Sequence, residues 1–363
     1  MSLKSGHTIN PVIYEEAVKQ YEQFGGNRVG TIRLEPDGWF FTSPFISHAN
    51  KIYDFKFKST DIVIMAFPKC GITWTKEIVW TMVYNPNLDN PKRFLPGIMR
   101  CPFMECDFLM KGLPKSIIGE GSLMHDAFVQ ANPDRNPDDG IFIQLAELAE
   151  DPRIIKTHLP FSLLSPSLAE NSKIIYVVRD PKDVAVSYCH HTRRLKCHNF
   201  FGTTSDFVDH FVNDTLNYSP FWKHVKEAWK LRNKPNVHFI FYEDLQADPR
   251  SEILRLQKFL DLNLTDSQIN NIIHYTSFDV MKEREKKEFV RSEELAEFSN
   301  LEVVQKDGGF FRKGISGDYK NKLSTEDIEK INNWTEENTQ EMEIDFKYKI
   351  RNVELIKHLF DKK

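Results

Sequence analysis

The sequence predicts a single α/β domain whose central parallel sheet is flanked by helices, and three observations predict it. Apolar, strand-like runs recur at 61–67, 173–178 and 237–242. Each passes through a short polar or basic turn. Each is followed by an amphipathic helical stretch. Strands that alternate with helices close as a parallel sheet, and because both faces are covered such strands read as near-continuous apolar runs.

Taken in order, residues 1–60 form an aromatic, Gly-containing lead-in around "DGWFFTSPF". Asp61–Phe67 is a β-branched run ended by Pro68, and Thr73–Tyr84 carries Trp74, Ile78 and Val79 on one helical face. From Asn85 to Asp151 breaker clusters such as "NPDRNPDDG" predict a loop-rich region. Arg153–Lys156 is a short strand. Lys173–Val178, "KIIYVV", is a longer one, and the helix after it has Pro181 near its first turn. Val237–Tyr242 is the last strand, with a helix through "PRSEILRLQKFL" beyond it. The run "MKEREKKEFVRSEELAEF" from Met281 predicts a solvated, mobile segment, and "GGFFRKGISGDYKNKL" a loop punctuated by glycines.

Composition narrows the function. Apolar residues make up 40% and charged residues 28% of the 363, enough for a large core. A net charge of −4 argues against nucleic acid as a partner, so anion affinity must come from local basic groups. The 28 Phe suit both a core and a pocket for a flat apolar molecule. Five Cys do not make a disulfide framework, the N-terminal stretch has no apolar signal region, and no run approaches a membrane span. These features predict a cytoplasmic protein without a membrane partner.

Three basic pieces then point to an anionic ligand. Pro68 to Trp74 is a strand-to-helix loop with one Lys and one Gly, a geometry that turns backbone N–H groups toward an anion. It does not match the P-loop pattern, because Lys69 precedes Gly71 and there is no first Gly. Arg179 ends the second long strand, Ser187 lies on the helix after it, and open α/β sheets bind ligands at that edge. Arg312-Lys313-Gly314 offers a third site.

Together these residues resemble the cytosolic sulfotransferases, which use 3′-phosphoadenosine-5′-phosphosulfate (PAPS) and release the bisphosphate PAP. That family carries Pro-Lys-Ser-Gly-Thr-Thr-Trp, matched at five of seven positions by Pro68–Trp74. Its Lys-x-His-x-Pro is Lys156–Pro160, and its Arg-Asp-Pro-x-Asp-x-x-x-Ser is Arg179–Ser187. Phe-Tyr-Glu-Asp is Phe241–Asp244, and Arg-Lys-Gly-x-x-Gly-Asp is Arg312–Asp318. The resemblance implies three parts: an N-terminal lead-in, 1–50, contributing to the acceptor pocket; a sulfotransferase domain, 51–345; and a C-terminal helical tail, 346–363.

The resemblance also implies roles. Lys69 would act on the bridging oxygen, His158 as general base on the acceptor hydroxyl, and Lys156 on the moving sulfonate. Arg179, Ser187, Arg312, Lys313 and Gly314 would hold the 3′-phosphate, with Ser187 counted also among the catalytic group. Lys69, Cys70, Gly71, Ile72, Thr73 and Trp74 would cradle the phosphosulfate, and Tyr242, Thr276 and Phe278 the adenine. No metal is required. The acceptor would be a hydroxyl or phenol on a small apolar molecule, and the product a sulfate ester or, as for the relative retinol dehydratase, an elimination product.

The sequence departs from the family at Cys70, where the family has Ser, and at Ile72, where it has Thr; these leave a non-catalytic nucleotide-binding relative as a rival. The family's dimer signature is only partly kept in "KNKLSTEDIE", so a homodimer stays open. Phe103, Phe108, Phe142 and Phe200 are candidates for the acceptor pocket and equally for the core. Cys189-His190-His191 with Cys197-His198, and Cys101 with Cys106, match no common metal spacing.

Overall fold

The computed structural model describes residues 1–110, 118–291, 298–343 and 346–348. Its centre is a four-stranded parallel sheet in the order β5-β4-β6-β7, formed by β4 (Ile62–Met65), β5 (Ile154–Thr157), β6 (Lys173–Val178) and β7 (Val237–Phe241). β4 is buried along its whole length and β6 from its second residue, as the apolar runs require. Arg153 pairs through both Nε and Nη2 with the fully buried Asp61, at 2.7 and 2.6 Å, and so ties together the starts of β4 and β5.

Each strand leads directly toward a helix or a short turn. α1 (Ile72–Tyr84) follows β4 and packs on β4 and β5. α2 (Pro181–Arg194) follows β6 and is capped by Asp180, whose side chain accepts from the Lys182 N–H at 2.9 Å. α3 (Tyr242–Ala247) follows β7 without a gap. The expected helix through "PRSEILRLQKFL" is Pro249–Leu260, with Pro249 in its first turn.

Two regions differ from expectation. The lead-in contains a three-stranded antiparallel sheet, β1 (Thr8–Pro11), β2 (Thr31–Glu35) and β3 (Trp39–Thr42). Its third strand, fully buried, extends outward to the domain: Phe40 and Ser219 or Tyr218 exchange backbone hydrogen bonds at 2.8 and 2.9 Å. An aromatic run with Gly and Pro nearby hides alternation, which is why strands were not expected there. The charged run after Met281 is also ordered further than composition suggested. α4 (Phe278–Arg291) is a helix, because Met281 buries itself and Arg284 and Glu285 find partners, given below. The rest of that run, 292–297, and the expected C-terminal tail beyond 348 lie outside the described residues. Among the described residues no helix is long and apolar enough to cross a membrane.

Candidate active site

Across the sheet, the carboxyl ends of the four strands deliver His158, Lys69, Arg179 and Tyr242 in that spatial order, because the strand order is β5-β4-β6-β7. They line one cavity of about 320 Å³, with a polar side and a predominantly apolar one.

The loop after β4 is held by its backbone. Lys69 sits at φ +70° and Gly71 at φ +108°, both left-handed. A Cβ on Gly71 would lie 2.4 Å from Tyr242 Cδ2, so only Gly lets the loop and α3 approach. Gly71 caps α1, and its carbonyl accepts from the N–H groups of Trp74 and Thr75 at 3.0 and 3.1 Å. The N–H groups of Ile72 and Thr73 have no carbonyl one turn earlier to bond, so they stay available to an anion. Lys69 Nζ lies 3.8 Å from the centroid of Phe310. Burial, then the neighbouring cations Arg194, Lys156 and Arg179, push its pKa well below the usual lysine range.

Cys70 does not join this lining. It is fully buried in the core, its N–H donates to the Phe67 carbonyl at 3.3 Å, and burial pushes its thiol up. A thiol so placed is inert, whereas Ile72, Thr73 and Trp74 do line the cavity.

His158 follows β5. Its Nδ1 is 2.7 Å from the Ala66 carbonyl, an acceptor only, so Nδ1 carries the proton and Nε2 is left with its lone pair. Among the described residues nothing bonds Nε2. Phe103 and Tyr218 stand edge-on to the ring at centroid distances of 5.3 and 5.5 Å. Burial, then Lys156, hold the pKa of His158 well below its ordinary value, so the ring is neutral at physiological pH. The backbone N–H of His158 and the Thr157 hydroxyl donate to the two oxygens of Glu105, the latter at 2.8 Å. Burial raises that carboxyl to about 7. Lys156, lying 3.9 Å over Phe103, is lowered to about 8 by burial and then by Lys76. The segment around Phe103 reaches this position because it runs beside β5, with Met104 and Lys156 joined through the backbone at 3.0 Å.

On the opposite side, the 310–318 loop is strapped down. Glu285 of α4 accepts from the N–H groups of Phe310 and Phe311 at 2.6 and 3.0 Å. Gln246 accepts from Ser316, and Asp183 accepts from the Gly317 N–H at 2.6 Å. Arg179 donates to the Ile315 carbonyl at 2.9 Å and stacks 4.4 Å over Tyr242. Arg312 and Lys313 pair with Asp318 at 2.7 and 2.6 Å. Gly314, at φ +65°, has no room for a Cβ beside Phe278. Ser187, Thr276 and Phe278 line the same cavity, and Trp74 meets Tyr242 edge-on at 5.7 Å.

All expected site residues except Cys70 therefore meet around one cavity. Of the four candidate phenylalanines Phe103 lines it, whereas Phe108, Phe142 and Phe200 are buried elsewhere. Reading the sequence missed Tyr218 and Phe310, because single residues in loops carry no spacing to betray them, and it weighed His191 and His198 only as metal ligands, whereas both line the cavity. The Cys/His group near 189–198 supplies pocket lining; among the described residues no cluster is arranged to hold a metal ion. The polar atoms present suit a polyanionic nucleotide. Among the described residues Arg179 Nε and Trp74 Nε1 are buried without partners, and five basic side chains, Lys69, Lys156, Arg179, Arg312 and Lys313, line the same space.

The sulfotransferase domain family model matches residues 59–343. Human sulfotransferase 1E1 is 32% identical over 319 residues, covering 87% of this chain and 96% of that protein. Mouse sulfotransferase 1 family member D1 is 32% identical over 286 residues, 78% of this chain and 85% of its own. A retinol dehydratase crystallised with androsterone and the inactive cofactor PAP superposes with a TM-score of 0.79 at 25% identity, over 94% of this chain and 98% of its own.

Proposed function

Because this chain belongs to the sulfotransferase family, we propose that it moves sulfonate from PAPS to a hydroxyl or phenol on a small apolar molecule, with His158 as general base. Sulfonate transfer places little covalent demand on the protein, so catalysis rests on positioning and charge, as in phosphoryl transfer. The acceptor hydroxyl gives its proton to His158 Nε2 while its oxygen attacks sulfur. The bond from sulfur to the 5′-phosphate oxygen breaks in line, and the electron pair stays on that phosphate. Lys69 receives the charge that grows there. Lys156 steadies the sulfonate oxygens. Arg179, Ser187, Arg312, Lys313 and Gly314 hold the 3′-phosphate, while Trp74, Tyr242, Thr276 and Phe278 hold the adenine.

The observation that carries this reading is the bond from His158 Nδ1 to the Ala66 carbonyl, which leaves a neutral, unbonded Nε2 in the cavity that Lys69 also lines. The lead-in 1–50 takes part from behind: Phe41 packs edge-on to Tyr218 at 5.4 Å, and β3 bonds its backbone. The main body, 51–345, carries the site, and Phe346, at the start of the expected tail, is buried against Trp222 and Trp229. Lys320 and Glu329 are exposed, which leaves room for a homodimer contact, although Ser324 between them is committed to capping helix Thr325–Thr339. Five free cysteines suit the cytoplasm.

Calorimetric titration with PAP, beside ATP and magnesium, tests the donor site. The reading expects micromolar or tighter PAP binding and weak ATP; the reverse order refutes it. The likeness to retinol dehydratase over 94% of the chain favours a second outcome, in which the ester loses sulfate and a proton to give an alkene. Mass analysis of products from an allylic alcohol separates ester from alkene.

A further inference from the structure

His191, in the last turn of α2, lines the cavity beside Phe310, over whose ring Lys69 Nζ lies. Tyr188, His198 and Phe310 surround it at centroid distances of 6.3, 5.8 and 5.9 Å. Neither ring nitrogen has a hydrogen-bond partner among the described residues, and Nδ1 is sealed from solvent. Buried polar groups in native structures nearly always find a partner, so the unmet Nδ1 marks this imidazole as one whose bonding is not completed within the fold.

The contrast with His158 defines what ligand that is. The Ala66 carbonyl commits His158 to one tautomer, so its Nε2 can only accept. Nothing commits His191. It can present either an N–H or a lone pair to the cavity, so it suits a carbonyl or a hydroxyl equally. Its electrostatic neighbours are the basic side chains of Lys69, Arg194 and Lys156, with His198 lowered by burial to about 4. An ammonium group would be repelled there.

We propose that His191 is a hydrogen-bonding subsite for a second oxygen function of the acceptor, so that the physiological substrate is an apolar diol or hydroxyketone rather than a simple alcohol or an amino alcohol. This rests on the sulfotransferase reading and deepens it. Arg194 adds a basic group at the same place: its Nε is buried without a partner among the described residues and its guanidinium lies 5.6 Å from the Phe310 centroid.

The test assays one rigid alicyclic monoalcohol with labelled PAPS, beside diols and hydroxyketones of the same skeleton with the second oxygen at successive positions, and an amino alcohol. In the wild type at least one oxygen position is expected to raise kcat/KM about tenfold over the parent, the value of one hydrogen bond, with the amino alcohol below the parent. His191→Phe is expected to cut that gain to less than about threefold, and His191→Gln to retain more of it. His191→Leu serves if the phenylalanine variant does not fold. Gains below threefold at every position, or a gain that survives in H191F, overturn the proposal. PAP binding with turnover of the parent, but without any gain, defeats the subsite alone; absence of both PAP binding and turnover defeats the sulfotransferase reading itself.

Discussion

The two ends of the cavity are built in opposite ways. The nucleotide end is a backbone structure: a left-handed Lys69 and Gly71, the start of α1, and a loop pinned through main-chain groups to Asp183, Gln246 and Glu285. The acceptor end is a side-chain structure. Phe103, Tyr218, His191 and Met281 arrive from four separate segments. Backbone architecture tolerates almost no added atom, whereas a side-chain wall can be repainted. One end should therefore break when mutated and the other should change its preference.

The largest effect that would sharpen this contrast is expected from Lys69→Met. On the proposed mechanism it removes the charge that meets the leaving phosphate and should lower kcat about 10²–10³-fold in steady-state transfer assays. Glu77→Gln tests the strut between the ends. Both oxygens of Glu77 on α1 accept from Arg100 Nη2 at 2.9 Å, and Arg284 Nη1 of α4 lies 3.3 Å away, with Glu77 and Arg100 well buried. Leaving those guanidiniums unpaired should cost about 3 kcal/mol of stability, read in chemical denaturation, and raise the KM for both substrates. Gly71→Ala forces a Cβ against Tyr242 and should weaken PAP binding by about 10–100-fold with acceptor preference unchanged.

A pH profile of kcat/KM for PAPS probes both ends at once, since it reports groups of the free enzyme. His158, with its pKa lowered, stays a neutral base as pH falls through 6.5, so no acid limb should appear there. Lys156, lowered to about 8, is charged below that value and loses its proton above it, so the rate should fall on the alkaline side near pH 8. The smallest effect is expected from Tyr218→Phe. Its buried hydroxyl has no partner among the described residues, so stability should change by less than about 1 kcal/mol while the acceptor KM moves. A collapse of PAP binding in that variant would erase the distinction between the ends.

The same division explains what could be read from the sequence. Lys69, Gly71, Arg179 and Arg312 belong to contiguous motifs, since backbone cradles need fixed residues at fixed spacing, and the parallel strands between them are long apolar runs. Tyr218 depends instead on backbone bonds from β3, nearly 180 residues away, in a sheet whose aromatic strands lack a two-residue alternation. Glu105 reaches His158 only because its segment happens to run beside β5. α4 was hidden for another reason: its charges look solvent-bound until Arg284 and Glu285 are seen to be paired across the fold. Cys70 shows the limit even inside a motif, where its neighbours face the ligand and its own side chain faces the core.

The most direct test of the account is transfer of labelled sulfonate from PAPS to a simple phenol or alcohol by His158→Ala, with PAP affinity measured on the same protein. The account predicts a loss of about 10²–10⁴-fold in kcat with PAP affinity within threefold of wild type. Turnover that survives the substitution would contradict it, and would leave Nε2 of His158 without the role its geometry supports.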